Sequence, residues 1–382
     1  MSRSWTILMM ITVGCTPRPE PLIPSALTVV KTVWIPVTTF LDSAIAAGAA
    51  PGAVLGVSVA GQRFLYATGR LTRAETAPVE VTTVYDLASL TKVLGLTTAV
   101  MLAVDDGKLE LDAPVQRYLP AFTGAEKEQV TVRMLLAHES GLPAWRPLFR
   151  ETESRDQAFA LTDTTPLSSK PGTTEVYSDL GVIVLTQVVE ALYDERLDRL
   201  LARRIFQPLG MTSVGFLPPA DRARIAPTEL DPWRGRILRG EVHDENAARL
   251  DGVSGHAGLF GSAPDLLTFG EWMLAPGPTA VPPFRRSIVE EFTRRQDLVP
   301  GSSRALGWDT PSPGSSAGAF LSATSFGHTG FTGTSLWIDP EHQMVIVLLS
   351  NRVNPTRDNP RWAPVRAAVA DLVMTTLLGD RR

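Results

Sequence analysis

Ser89 and Lys92 stand three residues apart in Ser89-Leu90-Thr91-Lys92, at the head of an apolar stretch, residues 90–102, that reads as a helix. Residues three apart on a helix share a face, so the Lys92 amine can reach the Ser89 hydroxyl. That is the geometry a serine nucleophile with a lysine base requires. Lysine is scarce, five in the whole chain, and only Lys92 has a serine three positions before it. The pair needs partners, and two groups follow it in the chain. Tyr177-Ser178-Asp179 offers a phenol and a carboxylate, and His328-Thr329-Gly330 stands just ahead of a strand-like run.

With all three groups in this order, the chain resembles the penicillin-recognising serine hydrolases: class C β-lactamases, DD-peptidases and family VIII carboxylesterases. The resemblance runs from about residue 38 to about residue 378. It implies an enzyme without metal or cofactor that forms an acyl-enzyme on Ser89. Lys92 and Tyr177 would complete the catalytic set, with the phenol passing the proton to the leaving group. Asp179, His328, Thr329 and Gly330 would bind substrate, and Gly330 would let the strand edge approach it closely. The backbone N–H groups of Ser89 and Phe331 would form the oxyanion hole, helped by the dipole of the helix that Ser89 starts.

A lysine base must be neutral, so Lys92 needs its pKa depressed by burial or by nearby positive charge. Two departures from the family pattern bear on this. Many relatives carry Asn where this chain has Asp179, and a carboxylate beside Lys92 stabilises the ammonium. Whether Lys92 or a tyrosinate at Tyr177 takes the first proton is therefore open at this point. Ser178-Asp179 also resembles the start of the Ser-Asp-Asn motif of class A β-lactamases, but Leu180 breaks it. The third motif begins with His328 rather than the Lys of many β-lactamases, so its charge should vary around pH 6.5. Some DD-peptidases carry His-Thr-Gly, which leans away from efficient β-lactamase activity.

The substrate expected is a small acyl compound of the cell envelope, a peptide or an ester, handled by a DD-carboxypeptidase or a carboxylesterase. A class C-like β-lactamase would differ only in how fast water clears the acyl-enzyme. A sensor or binding module that is acylated without turnover is the alternative outside enzymology.

Composition narrows the rest. A formal charge of −4 with no basic blocks gives no electrostatic footprint for nucleic acid. The single cysteine, Cys15, excludes an internal disulfide, and the five histidines never take a zinc-ligand spacing. Residues 1–15 read as an export signal, and Val13-Gly14-Cys15 resembles a lipoprotein processing site at which Cys15 would be lipidated, although Thr12 departs from that pattern. Residues 16–36 read as a proline-rich tether. The chain is thus expected outside the cytoplasm, periplasmic or in the cell envelope, touching membrane only through that lipid.

The remaining residues, 37–382, read as one catalytic domain of α+β class. Helix 38–47, strand 52–60, a turn at residues 61–62 and strand 63–69 open it. A second hairpin from 334–339 and 344–349 and a helix at 362–378 close it. Strands at both ends suggest one antiparallel sheet, formed by about 37–105 and 255–382, with a mainly helical part at about 106–254. The site would lie between the two parts. A Gly-x-Ser-x-Gly match centred on Ser316 sits among prolines and small loop residues and lacks the strand-to-helix context of a nucleophile elbow. Residues 242–260 bring a polar cluster with His243 and Asp244, unsuited as metal ligands, then a glycine-rich turn and a helix capped near Ser262. The cluster would either line the cleft or satisfy loop backbone.

Overall fold

The computed structural model describes residues 31–218, 222–276 and 284–379. The export signal, Cys15 and most of the tether lie outside these residues. The described chain starts with a 3-10 turn, Lys31–Trp34, and a helix, Ile35–Ala46. The helix begins three residues earlier than its spacing suggested and takes in the end of the stretch read as tether. Pro36 sits in the first helical turn, where a missing N–H costs nothing, and Trp34 is buried against Phe64, ring centroids 4.6 Å apart.

Strands Gly52–Val59 and Gln62–Gly69 pair antiparallel from Val59 opposite Gln62 outward. Their turn is Ala60-Gly61, one residue before the expected position. Both residues have positive φ, 48° and 80°, the mirror-image turn whose twist matches the strands it joins. Strand Gly52–Val59 pairs on its other side with Met344–Ser350, which pairs with Ser335–Asp339, which pairs with Phe326–Thr329. The result is a five-stranded antiparallel sheet built from both ends of the chain, and the fold is α+β as expected.

The central strands are apolar at nearly every position because both faces of the sheet are covered. Leu55, Val57, Ile346 and Leu348 point to a core shared with helix Ile35–Ala46 and the closing helix Ala363–Leu378. Val54, Val345, Val347 and Leu349 point the other way, into a core with helix Ala263–Leu274. This is the two-residue alternation of a strand read on both sides.

The interposed part holds helices Val132–Leu136, Arg155–Thr164 and Asp179–Tyr193. It is not wholly helical: Gly215–Phe216 joins Leu259–Gly261 and Tyr85–Asp86 in a small sheet, and Leu230–Asp231 pairs with Arg236–Ile237. The expected cap at Ser262 is absent as a side-chain bond. The Ser262 hydroxyl lies instead 2.7 Å from that of Ser213. Among the described residues no helix is long and apolar enough to cross a membrane.

Helix Ala263–Leu274 can approach the sheet because Gly270 faces Val345. A Cβ at Gly270 would lie 2.4 Å from Val345 Cγ1. Gly270→Ala is expected to lower stability by about 1–3 kcal/mol through overpacking, read as a lower urea midpoint. An unchanged midpoint would show that this contact is slack.

Candidate active site

The nucleophile turn is held from below by a buried carboxylate. Asp86 accepts hydrogen bonds from the N–H of Ala88 at 2.8 Å and of His243 at 2.6 Å. Between Asp86 and Ser89 the chain passes through Ala88 in the left-handed region, φ 46°, a conformation that costs a residue with a Cβ energy and needs surrounding contacts to hold it. After Ser89 the chain does not enter a regular α-helix directly. Lys92–Thr97 form a wide π turn that runs on into helix Thr98–Asp105, and π turns recur at functional sites.

Lys92 points back to Ser89 as its spacing required, with Nζ 3.2 Å from Oγ. Its side chain is 2% exposed. The ammonium also donates to the carbonyl of His256 at 3.0 Å and pairs with Asp179 Oδ1 at 2.7 Å. Burial works against its charge, but Asp179 and Tyr177 outweigh burial and hold its pKa above the ordinary lysine value. Of the two ways to satisfy the chemistry, the surroundings of Lys92 favour the ammonium over the neutral lysine.

Asp179 and Tyr177 are delivered by one helix start. Ser178 caps helix Asp179–Tyr193, accepting from Gly181 N–H at 3.2 Å. Its hydroxyl donates to Pro143 O at 2.7 Å, and Asp179 N–H donates to Ala144 O at 2.9 Å. Ser178 is thus a structural cap, and Asp179 sits in the first turn, where the helix dipole favours an anion. The Tyr177 ring lies 4.9 Å from Lys92 Nζ and 5.3 Å from Arg304 Cζ, so two cations flank it.

His328 is beside this cluster, its ring centroid 5.8 Å from that of Tyr177. The expectation that it titrates around pH 6.5 does not hold. Burial, then the charges of Lys92 and Arg304, push its pKa down to about 3. Its Nδ1 lies 2.7 Å from Thr329 O, and a carbonyl can only accept, so Nδ1 carries the proton. Nε2 is left as a buried acceptor with no partner among the described residues.

The third motif packs against the nucleophile turn. Thr332 Oγ1 donates to Asp86 O at 2.7 Å and Thr334 Oγ1 to Leu87 O at 3.0 Å. A Cβ at Gly330 would lie 2.1 Å from Thr334 Oγ1 and 2.5 Å from Leu87 O. The room that Gly330 leaves is filled by the protein itself, so the packing of the two loops needs a glycine here. Thr329 ends the edge strand, paired with Ser335, and Phe331 follows with its ring 48% exposed. Among the described residues, neither the N–H of Ser89 nor that of Phe331 donates to another protein group.

Several groups here carried no spacing that marked them. His138, at φ 61°, accepts Ser178 N–H on Nδ1 at 3.1 Å and meets the Tyr177 ring at a tilt, centroids 4.6 Å apart. Burial, Arg304 and Lys92 push its pKa well down. Arg304 itself is anchored by Glu175 at 2.8 Å and by Asp309. The 242–260 cluster does both things considered for it. His256 gives its carbonyl to Lys92, while its ring pairs with Asp244 at 2.8 Å and Asp244 caps a short helix through Ala247 N–H at 2.7 Å. Ser316 is a hydrogen-bond acceptor for Trp337 Nε1 at 3.1 Å. Among the described residues no group of His, Cys, Asp or Glu is arranged to hold a metal ion.

The β-lactamase family model matches residues 37–371. The chain belongs to the β-lactamase family of serine hydrolases. It is 33% identical over 328 residues to a putative D-alanyl-D-alanine carboxypeptidase of Salmonella typhi, covering 75% of this chain and 74% of that protein. Solved structures share the fold. A penicillin-binding protein homologue from Caulobacter crescentus superposes with TM-score 0.73 at 18% identity, over 90% of this chain and 98% of that one. A class C β-lactamase from Rhodobacter sphaeroides gives 0.68 at 23%, over 88% and 98%. This family acts on small acyl substrates such as β-lactams and peptides.

The state of His328 has a measurable sign. Its folded pKa lies below the value of about 6.5 expected for an unfolded chain. Below pH about 6.5 the unfolded state binds a proton that the native state refuses, so stability should fall as pH drops toward 4. His328→Gln should make that fall shallower in urea titrations at stepped pH. An equally steep fall would mean that His328 is protonated in the folded enzyme.

Proposed function

We propose that the chain is a DD-carboxypeptidase that works through an acyl-enzyme on Ser89. The observation that carries the chemistry is the cluster of Ser89, Lys92, Tyr177 and Asp179 beside two unpaired backbone N–H groups. Ser89 Oγ attacks the scissile carbonyl carbon and its proton leaves to the oxygen of a Tyr177 tyrosinate. Lys92 and Arg304 flank the tyrosinate and offset its negative charge until that proton arrives. Tyr177 then protonates the departing amine, which breaks the C–N bond and leaves the acyl group on Ser89 Oγ. Water hydrolyses that ester, with Tyr177 receiving its proton and returning one to Ser89. The N–H groups of Ser89 and Phe331 receive the oxyanion in both steps.

The choice of a peptide leaving group is supported by the carboxypeptidase name of the relative at 33% identity and by a neutral His328 where many β-lactamases place a lysine. Export with Cys15 as a lipid attachment point belongs to the same proposal, since it would put the enzyme beside its envelope substrate.

Intact-mass spectrometry of the full chain with a fluorescent penicillin, together with assays on a p-nitrophenyl ester and a D-Ala-D-Ala peptide, tests the reading. One adduct on Ser89 and release of D-alanine are expected, and Ser89→Ala should lose both while unfolding at the same temperature. Hydrolysis retained by Ser89→Ala would sink the acyl-enzyme. Ester turnover with an untouched peptide would make the enzyme an esterase, and a stable adduct without product would make it a sensor.

A further inference from the structure

We propose that Arg366 is a positioning residue of the oxyanion hole, anchoring and polarising the peptide whose N–H receives the developing charge. The inference rests on the acyl-enzyme reading above. A peptide unit is planar and carries the carbonyl of one residue and the N–H of the next. The carbonyl of Gly330 and the N–H of Phe331 are the two ends of one such unit.

Arg366 lies in the first turns of the closing helix Ala363–Leu378 and donates from a terminal guanidinium nitrogen to Gly330 O. The same carbonyl accepts Gly333 N–H at 3.1 Å, and Gly330 N–H donates to Thr334 O at 2.7 Å. The next carbonyl is held in a similar way: Arg352 Nε donates to Phe331 O at 2.9 Å, and Arg352 is itself fixed by the carbonyls of Arg357 and Asn359, each at 3.1 Å. Two guanidinium groups therefore grip the carbonyls on either side of the Phe331 amide. No carboxylate hydrogen-bonds either of them among the described residues. The Arg366 Nε is buried without a partner, so the main hold on this side chain is the Gly330 carbonyl.

The arrangement does more than pin a loop. A hydrogen bond from a charged donor is stronger than a neutral one, and a bond at the carbonyl end of an amide strengthens the donor at its N–H end. Arg366 also brings a fixed positive charge behind the point where negative charge appears in the tetrahedral intermediate, the placement that favours a transition state over a ground state. Its field is already felt in the resting site, since it contributes to keeping His328 neutral. Arg352 bonds the far side of Phe331, whose carbonyl belongs to the following peptide, so its part is to hold the loop rather than to polarise the donor.

The test uses full-length Arg366→Gln and Arg366→Lys, with Arg352→Gln for comparison. For Arg366→Gln, kcat for an ester should fall about tenfold with KM unchanged. Affinity for an aryl boronic acid, which forms a tetrahedral anion on Ser89, should fall by the same factor. The infrared carbonyl stretch of the acyl-enzyme should move to higher wavenumber. Arg366→Lys, which keeps the charge, should lie between wild type and Arg366→Gln, and Arg352→Gln should leave the stretch in place. Wild-type kcat, boronate affinity and stretch in whichever Arg366 variant folds would overturn the proposal, as would a change confined to KM. A wild-type enzyme that forms no adduct on Ser89 would instead overturn the acyl-enzyme reading, and this inference with it.

Discussion

A lysine ammonium removed from water must be compensated at once, and the cleft is arranged around that need. Lys92 is satisfied from three directions: by Ser89 on its own turn, by the carbonyl of His256, and by Asp179 at the head of a helix in the interposed part. These partners come from widely separated stretches of chain. The sheet-bearing part and the helical part are therefore joined at the catalytic cluster by a buried charge that tolerates no missing partner. The same pairing keeps Tyr177 beside Lys92, because Tyr177 precedes the Ser178 cap that fixes Asp179 in place.

The charge pattern follows from this. With the ammonium of Lys92 favoured, and Arg304 near the same tyrosine ring, protonating either nearby histidine would add positive charge to a buried place. His138 and His328 stay neutral for that reason as well as through burial. They are then fixed as single tautomers by backbone contacts, His138 accepting from Ser178 N–H and His328 donating to Thr329 O. Behind the loop at residues 330–333, Arg352 and Arg366 add positive charge. Positive charge gathered around the site favours an anionic intermediate.

Much of this was legible in the residues. The Ser89 and Lys92 spacing, the chain order of the three motifs, the two hairpins and the sheet assembled from both ends all follow from local pattern, and the structure places them together. The conflict at Lys92 was visible too, since Asp179 sat where a carboxylate favours the ammonium. What local pattern misses is set by distant partners. The depressed pKa of His328 comes from burial and from Lys92, Arg304 and Arg366, separated from it by up to hundreds of residues. That Gly330 is needed where Thr334 and Leu87 close in could not be read from its own position. Trp34 and Pro36 resembled a tether by composition, and only the aromatic stack on Phe64 shows the helix they begin. His138 and Arg304 carry no motif spacing at all.

The favoured ammonium state of Lys92, with the first proton going elsewhere, is open to direct measurement. Enzyme labelled with 13C at lysine Cε, with Lys92 assigned by its loss in Lys92→Arg, reports this directly through the pH dependence of one resonance. The expected result is an ammonium shift that holds through about pH 10 and titrates only above the usual lysine midpoint, with a lower midpoint in Asp179→Asn, where burial is no longer opposed by the carboxylate. A Lys92 resonance that titrates near neutral pH in the unmodified enzyme would contradict it and return the role of first base to the lysine.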